Sequence, residues 1–158
     1  MEKKKGIIGF TGAFRDSVKE INAGSKVVFT GSIAVCTPFI ELLAYTIRDK
    51  DFQMVYVPKA DIKEARRIKE QSNIGYSVVN EKVDPQRPDV VVVMGGLAMP
   101  KFGCSTEDVL NMVGEISVER KPKIIGVCFM NIFERAGWTK KIPFDVLIDT
   151  SMETVVNR

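Results

Sequence analysis

The run Asp89-Val90-Val91-Val92-Val93-Met94-Gly95-Gly96 constrains the fold more than any other segment. Its β-branched residues favour an extended backbone. Successive side chains of a strand point to opposite faces, so an uninterrupted apolar run is apolar on both. Such a strand must be covered on both sides. That is the position of a central strand in a parallel sheet with helices above and below.

The rest of the chain supplies the other layers. Strand-like runs occupy 26–30, 52–57, 74–79, 123–128 and 144–148. Helical spacing marks 13–23, with Phe14, Val18 and Ile21 on one stripe. The spacing also predicts a helix capped by Thr37 with Pro38 in its first turn, its stripe formed by Phe39, Leu42, Leu43, Thr46 and Ile47. A charged helix is expected from Asp61 to about Gln71, and another after Ser105 with Asp108 three residues on. A short helical turn follows at 131–136. Gly6, Gly9 and Gly12 read as a flexible opening segment able to fold over a pocket, and residues 1–5 as a flexible basic tail. The expectation is one α/β domain over 1–158: a Rossmann-like three-layer sandwich, mainly parallel, in strand order 3-2-1-4-5-6.

Composition removes several functions. The longest apolar run, Val90 to Met99, is ten residues, against the about 18 to 20 a membrane helix needs. The basic start is followed by no apolar signal region, so a cytoplasmic protein is expected. The net charge is +3, but residues 1–5 hold three lysines and one glutamate, leaving 20 basic and 19 acidic residues elsewhere. Such a balance gives no electrostatic reason to expect nucleic acid. Histidine is absent, which excludes a His-assisted triad, a histidine base and His-ligated metal within this chain.

In an open α/β sheet, ligands bind beyond the carboxyl ends of the strands, where the strand order reverses. The expected order puts two loops there. One carries Thr30, Gly31, Ser32 and Thr37, the other Gly95, Gly96 and Lys101. Glycines let backbone N–H groups approach a ligand, hydroxyls add donors, and a helix N-terminus favours an anion. Both the G-x-G-x-x-G dinucleotide fingerprint after the first strand and the P-loop pattern are missing. Cys36, Cys104 and Cys128 all fall near the same sheet edge, so a thiol site or a three-thiolate metal site is an alternative, with inert packing the plain reading. Arg15 and Asp149 are secondary polar candidates. Trp138 beside Lys140 and Lys141 reads as surface.

Thr30-Gly31-Ser32-Ile33-Ala34 is similar to the turn of the phosphopantothenoylcysteine-decarboxylase-like flavoproteins, in which the serine-containing turn binds the flavin phosphate. The resemblance implies Gly31 and Ser32 as phosphate ligands and flavin mononucleotide (FMN) as the cofactor. It does not imply decarboxylation, which in that family relies on a histidine. Over its whole length, and in Val35 to Tyr45, the chain resembles a domain family of unknown function from methanogenic archaea. The leading expectation is a small-molecule-binding protein, with or without catalysis, that holds a phosphorylated, FMN-like or nucleotide-like ligand. The competing one is a partner or homo-oligomerising protein with a vestigial pocket, its interface formed by apolar residues of the 97–102 loop.

Overall fold

Val90–Met94 forms a strand in which all five residues are buried. It belongs to a seven-stranded sheet in a computed structural model that describes residues 1–158. In chain order the strands are β1 (Lys26–Gly31), β2 (Gln53–Pro58), β3 (Arg66–Gln71), β4 (Gly75–Lys82), β5 (Val90–Met94), β6 (Lys123–Phe129) and β7 (Val146–Thr150). Their spatial order is β4-β3-β2-β1-β5-β6-β7. β1 pairs in parallel with β2 and with β5, so Val28 sits between Val55 and Val91. β5, β6 and β7 continue in parallel, while β3 runs against both its neighbours.

The two faces of the central strands divide the core by alternation. Val27, Phe29, Val90, Val92 and Met94 pack with Phe10 and Phe14 of α1 (Gly6–Ser17) and with Ile40, Leu43 and Ala44 of α2 (Thr37–Thr46). Val28, Val91 and Val93 pack with Val109, Met112 and Ile116 of α3 (Thr106–Ile116), and with Phe133 of α4 (Ile132–Arg135). Each such side chain contributes about 1.5 to 3 kcal/mol by leaving water, so this doubly covered strand is a large share of the stability.

Several expectations require correction. The strand order differs, because seven strands are present and the 61–71 segment is not a helix. Asp61 does cap a 3₁₀ turn, its carboxylate accepting from the Lys63 N–H at 3.2 Å. The chain then enters β3, where Ile68 is the one buried residue and Arg67 pairs with Glu81 of β4 at 2.7 Å. A charged segment with one apolar residue gains little from a helix face and more from the β2 and β4 ladders. The glycine-spaced opening is helical, because Phe10 and Phe14 anchor it to the sheet. Within the expected basic tail, Lys4 is paired with Asp16 at 2.7 Å. Cys36, not Thr37, is the N-cap of α2, and the Thr37 hydroxyl accepts from the Ala34 N–H at 3.3 Å. Leu97 is fully buried rather than part of an exposed loop patch, although Phe102 is exposed. Trp138 is also buried, stacked on Phe133 with ring centroids 5.3 Å apart. No helix is long and apolar enough to cross a membrane.

Candidate functional site

At the carboxyl ends of β1 and β5 the chain leaves to opposite faces, β1 towards α2 and β5 towards α3. The structure brings Thr30, Gly31, Ser32, Gly95 and Gly96 together there, as the sequence implies. Their glycines, however, admit protein atoms. A Cβ on Gly31 would lie 2.6 Å from Cys36 Cβ, and one on Gly96 would lie 2.4 Å from Cys36 Sγ. A Cβ on Gly95 would lie 2.5 Å from Cys128 Cβ. These glycines are close-approach positions in which a sulfur-bearing side chain fills the available space.

The three cysteines do not form one site. Cys36 packs in the core beneath α1 and α2, whereas Cys104 and Cys128 lie on the opposite face of the sheet. Burial pushes the Cys104 thiol up to about 11 and the Cys128 thiol up to about 12. Burial also raises Cys36, outweighing the Ser32 and Gly96 N–H groups beside its sulfur. All three are therefore protonated at neutral pH, and no group of three or more His, Cys, Asp or Glu side chains is arranged to hold a metal ion.

The other polar candidates are committed elsewhere. Arg15 makes two bonds to the Asp49 carboxylate, at 2.6 and 2.7 Å, and one to the Thr46 carbonyl at 3.0 Å. These partners lie at and just beyond the C-terminus of α2, far along that helix from the carboxyl edge of the sheet. Asp149 accepts the Asn131 N–H at 2.8 Å and the Cys128 thiol at 3.3 Å. Lys101 is exposed and forms no ion pair.

The open part of this edge is on the α3 face. A cleft of about 470 Å³ separates the turn after β2 from α3, lined by Lys59, Asp61, Cys104, Asp108, Asn111 and Glu115 among others. Lys59 and Ala60 have φ of 48° and 58°, left-handed conformations that cost non-glycine residues about 1 to 2 kcal/mol each. The turn is held by two bonds to the end of β1. Lys59 N–H donates to the Gly31 carbonyl at 2.9 Å, and Ala60 N–H to the buried Thr30 hydroxyl at 3.0 Å. Thr30 thus pins one wall of the cleft. Ser105 and Asp108 fix the other through a reciprocal capping box, at 3.0 and 3.1 Å. Sequence reasoning reached Asp61 and Asp108 only as caps and missed Lys59, Asn111 and Glu115. The available signal was the position of Pro58-Lys59-Ala60-Asp61 at the carboxyl end of a strand.

Beneath the other face lie two buried hydroxyls, Ser32 Oγ and Tyr56 OH, each set against a neighbouring side chain. Ser32 is 0% exposed and Tyr56 6%. Ser32 Oγ is 3.3 Å from the position a Gly96 Cβ would take, on the side where Cys36 Sγ stands. It lies beside that sulfur. Tyr56 OH faces the Thr37 hydroxyl and Cys36, and burial raises its pKa.

These features define an α/β domain with a mainly parallel central sheet, an open polar cleft on one face of its carboxyl edge and a sealed polar spot on the other. The chain belongs to the family described as uncharacterized proteins conserved in archaea, DUF2124, which matches residues 5–153. It is 37% identical to an uncharacterized protein of Methanothermobacter thermautotrophicus over 161 aligned residues, covering 100% of this chain and 99% of that protein. A second uncharacterized protein, from Methanocaldococcus jannaschii, is 36% identical over 149 residues, covering 94% and 88%. A crystal structure of a protein of unknown function from M. thermautotrophicus superposes with a TM-score of 0.88 at 34% identity, covering 100% of this chain and 96% of the other.

Proposed function

We propose that this protein binds a phosphorylated, nucleotide-like small molecule in the cleft between the turn after β2 and α3. The observation that carries this reading is the cleft itself: about 470 Å³ of open space at the carboxyl edge, beside the point where the strand order reverses. Lys59 is its only cation and supplies the partner for a phosphate. Asp61, Asn111 and Glu115 supply acceptors for ribose hydroxyls or a base amino group. The lining also carries three carboxylates, Asp61, Asp108 and Glu115, of which Asp61 accepts the Lys63 N–H and Asp108 the Ser105 N–H.

Thermal melting with AMP and with FMN tests the reading. AMP is expected to raise the melting temperature of the wild type in a saturable way, and Lys59→Ala to abolish the rise. FMN would give the same shift and a yellow protein if an isoalloxazine ring is accommodated. An unshifted melting temperature with both ligands contradicts the proposal. A second reading, self-association, is favoured by Ile7 and Ile8, which are 58% and 82% exposed on α1. Sedimentation of the wild type against Ile8→Lys separates it from a monomer.

A further inference from the structure

We infer that the cleft selects a monophosphate whose far end carries an amino group, with Lys59 at the phosphate end and Asn111 and Glu115 reading the amino group. The selection rests on the reading of the cleft proposed above, and adds to it the number of phosphates and the chemistry of the other end.

The cleft has two unlike ends. One wall is the face of α3 that bears Asp108, Asn111 and Glu115, three and four residues apart, while Val109, Met112 and Ile116 of the same helix belong to the core. From Asp108 to Glu115 the helix advances about 10 Å, at 1.5 Å per residue. Lys59, on the other wall, acts electrostatically on the Cys104 thiol, as Asp108 does, which places the lysine at the end where α3 begins. Glu115 stands at the opposite end, in the last turn of α3. That turn holds no basic residue, so the carboxylate lies unpaired against the negative end of the helix dipole. Asp61 and Asp108 are each engaged by a backbone N–H, whereas Lys59, Asn111 and Glu115 form no ion pair and no side-chain hydrogen bond. The free groups are therefore a cation at one end and an amide and a carboxylate at the other. A carboxylate only accepts, so what it lacks is a donor such as an amino group. The lining sets one lysine against three carboxylates. One phosphate is paired by Lys59, and each further phosphate meets negative charge with nothing left to balance it.

AMP and IMP isolate the amino end, since they differ at one ring position, an amino group in AMP and a carbonyl oxygen in IMP. A carboxylate accepts from the first and repels the second. Apparent affinities are read from melting-temperature titrations with AMP, IMP, ADP and ATP, without divalent metal and at matched ionic strength. In the wild type, AMP is expected to bind about tenfold or more tighter than IMP, as for a hydrogen bond to a charged group. Affinity is expected to fall from AMP to ADP to ATP. Glu115→Gln keeps an acceptor and adds a donor on an exposed helix face, so the preference for AMP over IMP should largely disappear while the ligand-free melting temperature does not fall. A merely structural role for Glu115 would leave the AMP to IMP ratio unmoved. IMP or ATP binding as tightly as AMP, or a full AMP preference retained in Glu115→Gln, would overturn the selection and leave the cleft standing as a nucleotide site. No response to any of the four nucleotides would overturn both.

Discussion

The two faces of the carboxyl edge meet the same geometrical problem in different ways. Under α2, the end of β1 is sealed: Gly31 and Gly96 press against Cys36, and the Ser32 and Tyr56 hydroxyls are buried beside it. Beside α3, the edge is propped open: Thr30 and Gly31 hold a left-handed turn away from a capped helix, and charged side chains line the gap. The difference teaches that glycines at a switch point do not by themselves mark a ligand. Here they mark where sulfur-bearing side chains approach the backbone. The open space lies one strand further along, beyond β2.

The sharpest way to break this contrast is to add carbon to the sealed side. Gly96→Val places atoms where Cys36 Sγ already is, with the first of them only 2.4 Å away, and is expected to destabilise the fold by 3 kcal/mol or more, about the ceiling for an overpacked core. Gly96→Ala is expected to cost about 1 to 3 kcal/mol. Chemical denaturation of the variants checks both. A Gly96→Ala protein as stable as wild type would show that the sealed side is looser than described. Ser105→Ala tests the propped side, removing the hydroxyl that caps α3, at a cost of about 1 kcal/mol by the same measurement.

Lys59→Gly is expected to act in the other direction. Glycine accepts the φ of 48° without the steric penalty, so stability should rise by up to about 1 kcal/mol while the AMP response disappears. Loss of stability would mean that the lysine side chain, and not the backbone bonds, holds the turn. The thiols sharpen the comparison without substitution. With Cys104 and Cys128 pushed up to about 11 and 12, and Cys36 raised by burial, an aromatic disulfide reagent at pH 8 should titrate the native protein slowly and the denatured protein at once.

How much of this was legible follows from where the signal resides. The central strand was plain because Val90–Met94 is apolar on both faces, and the start of α3 because Ser105 and Asp108 have the capping spacing. The adjacency of β1 and β5 was also expected, and with it the meeting of Gly31 and Gly95-Gly96. β3 was not legible. Asp61 signals a helix start, and Lys63 to Gln71 are good helix formers by composition. The strand is imposed by pairing with β2 and β4, a tertiary effect that local propensity does not carry. The charged walls of the cleft were missed for a related reason. Lys59 and Glu115 are far apart in the chain and look like ordinary surface charges until the turn after β2 is seen beside α3.

The smallest predicted effect lies away from both faces. Arg15 holds the Asp49 carboxylate at about 2, below its ordinary 3.8, chiefly through the hydrogen-bonded pair. A depressed carboxylate contributes stability above its unfolded pKa of 3.8, and that contribution fades as pH falls through about 2. Both groups are solvent-exposed, so the effect on unfolding is expected to be slight. The Asp49 carboxyl resonance in an NMR titration should have its midpoint near 2, and should return towards 3.8 in Arg15→Gln.

The claim that the ligand lies on the open face is tested most directly by amide NMR spectra during an AMP titration. The account predicts saturable shifts concentrated at Lys59, Ala60, Asp61, Cys104 and Asn111, with Arg15, Asp49 and Lys101 unmoved. An absence of shifts, or shifts centred away from the turn after β2 and α3, would contradict it.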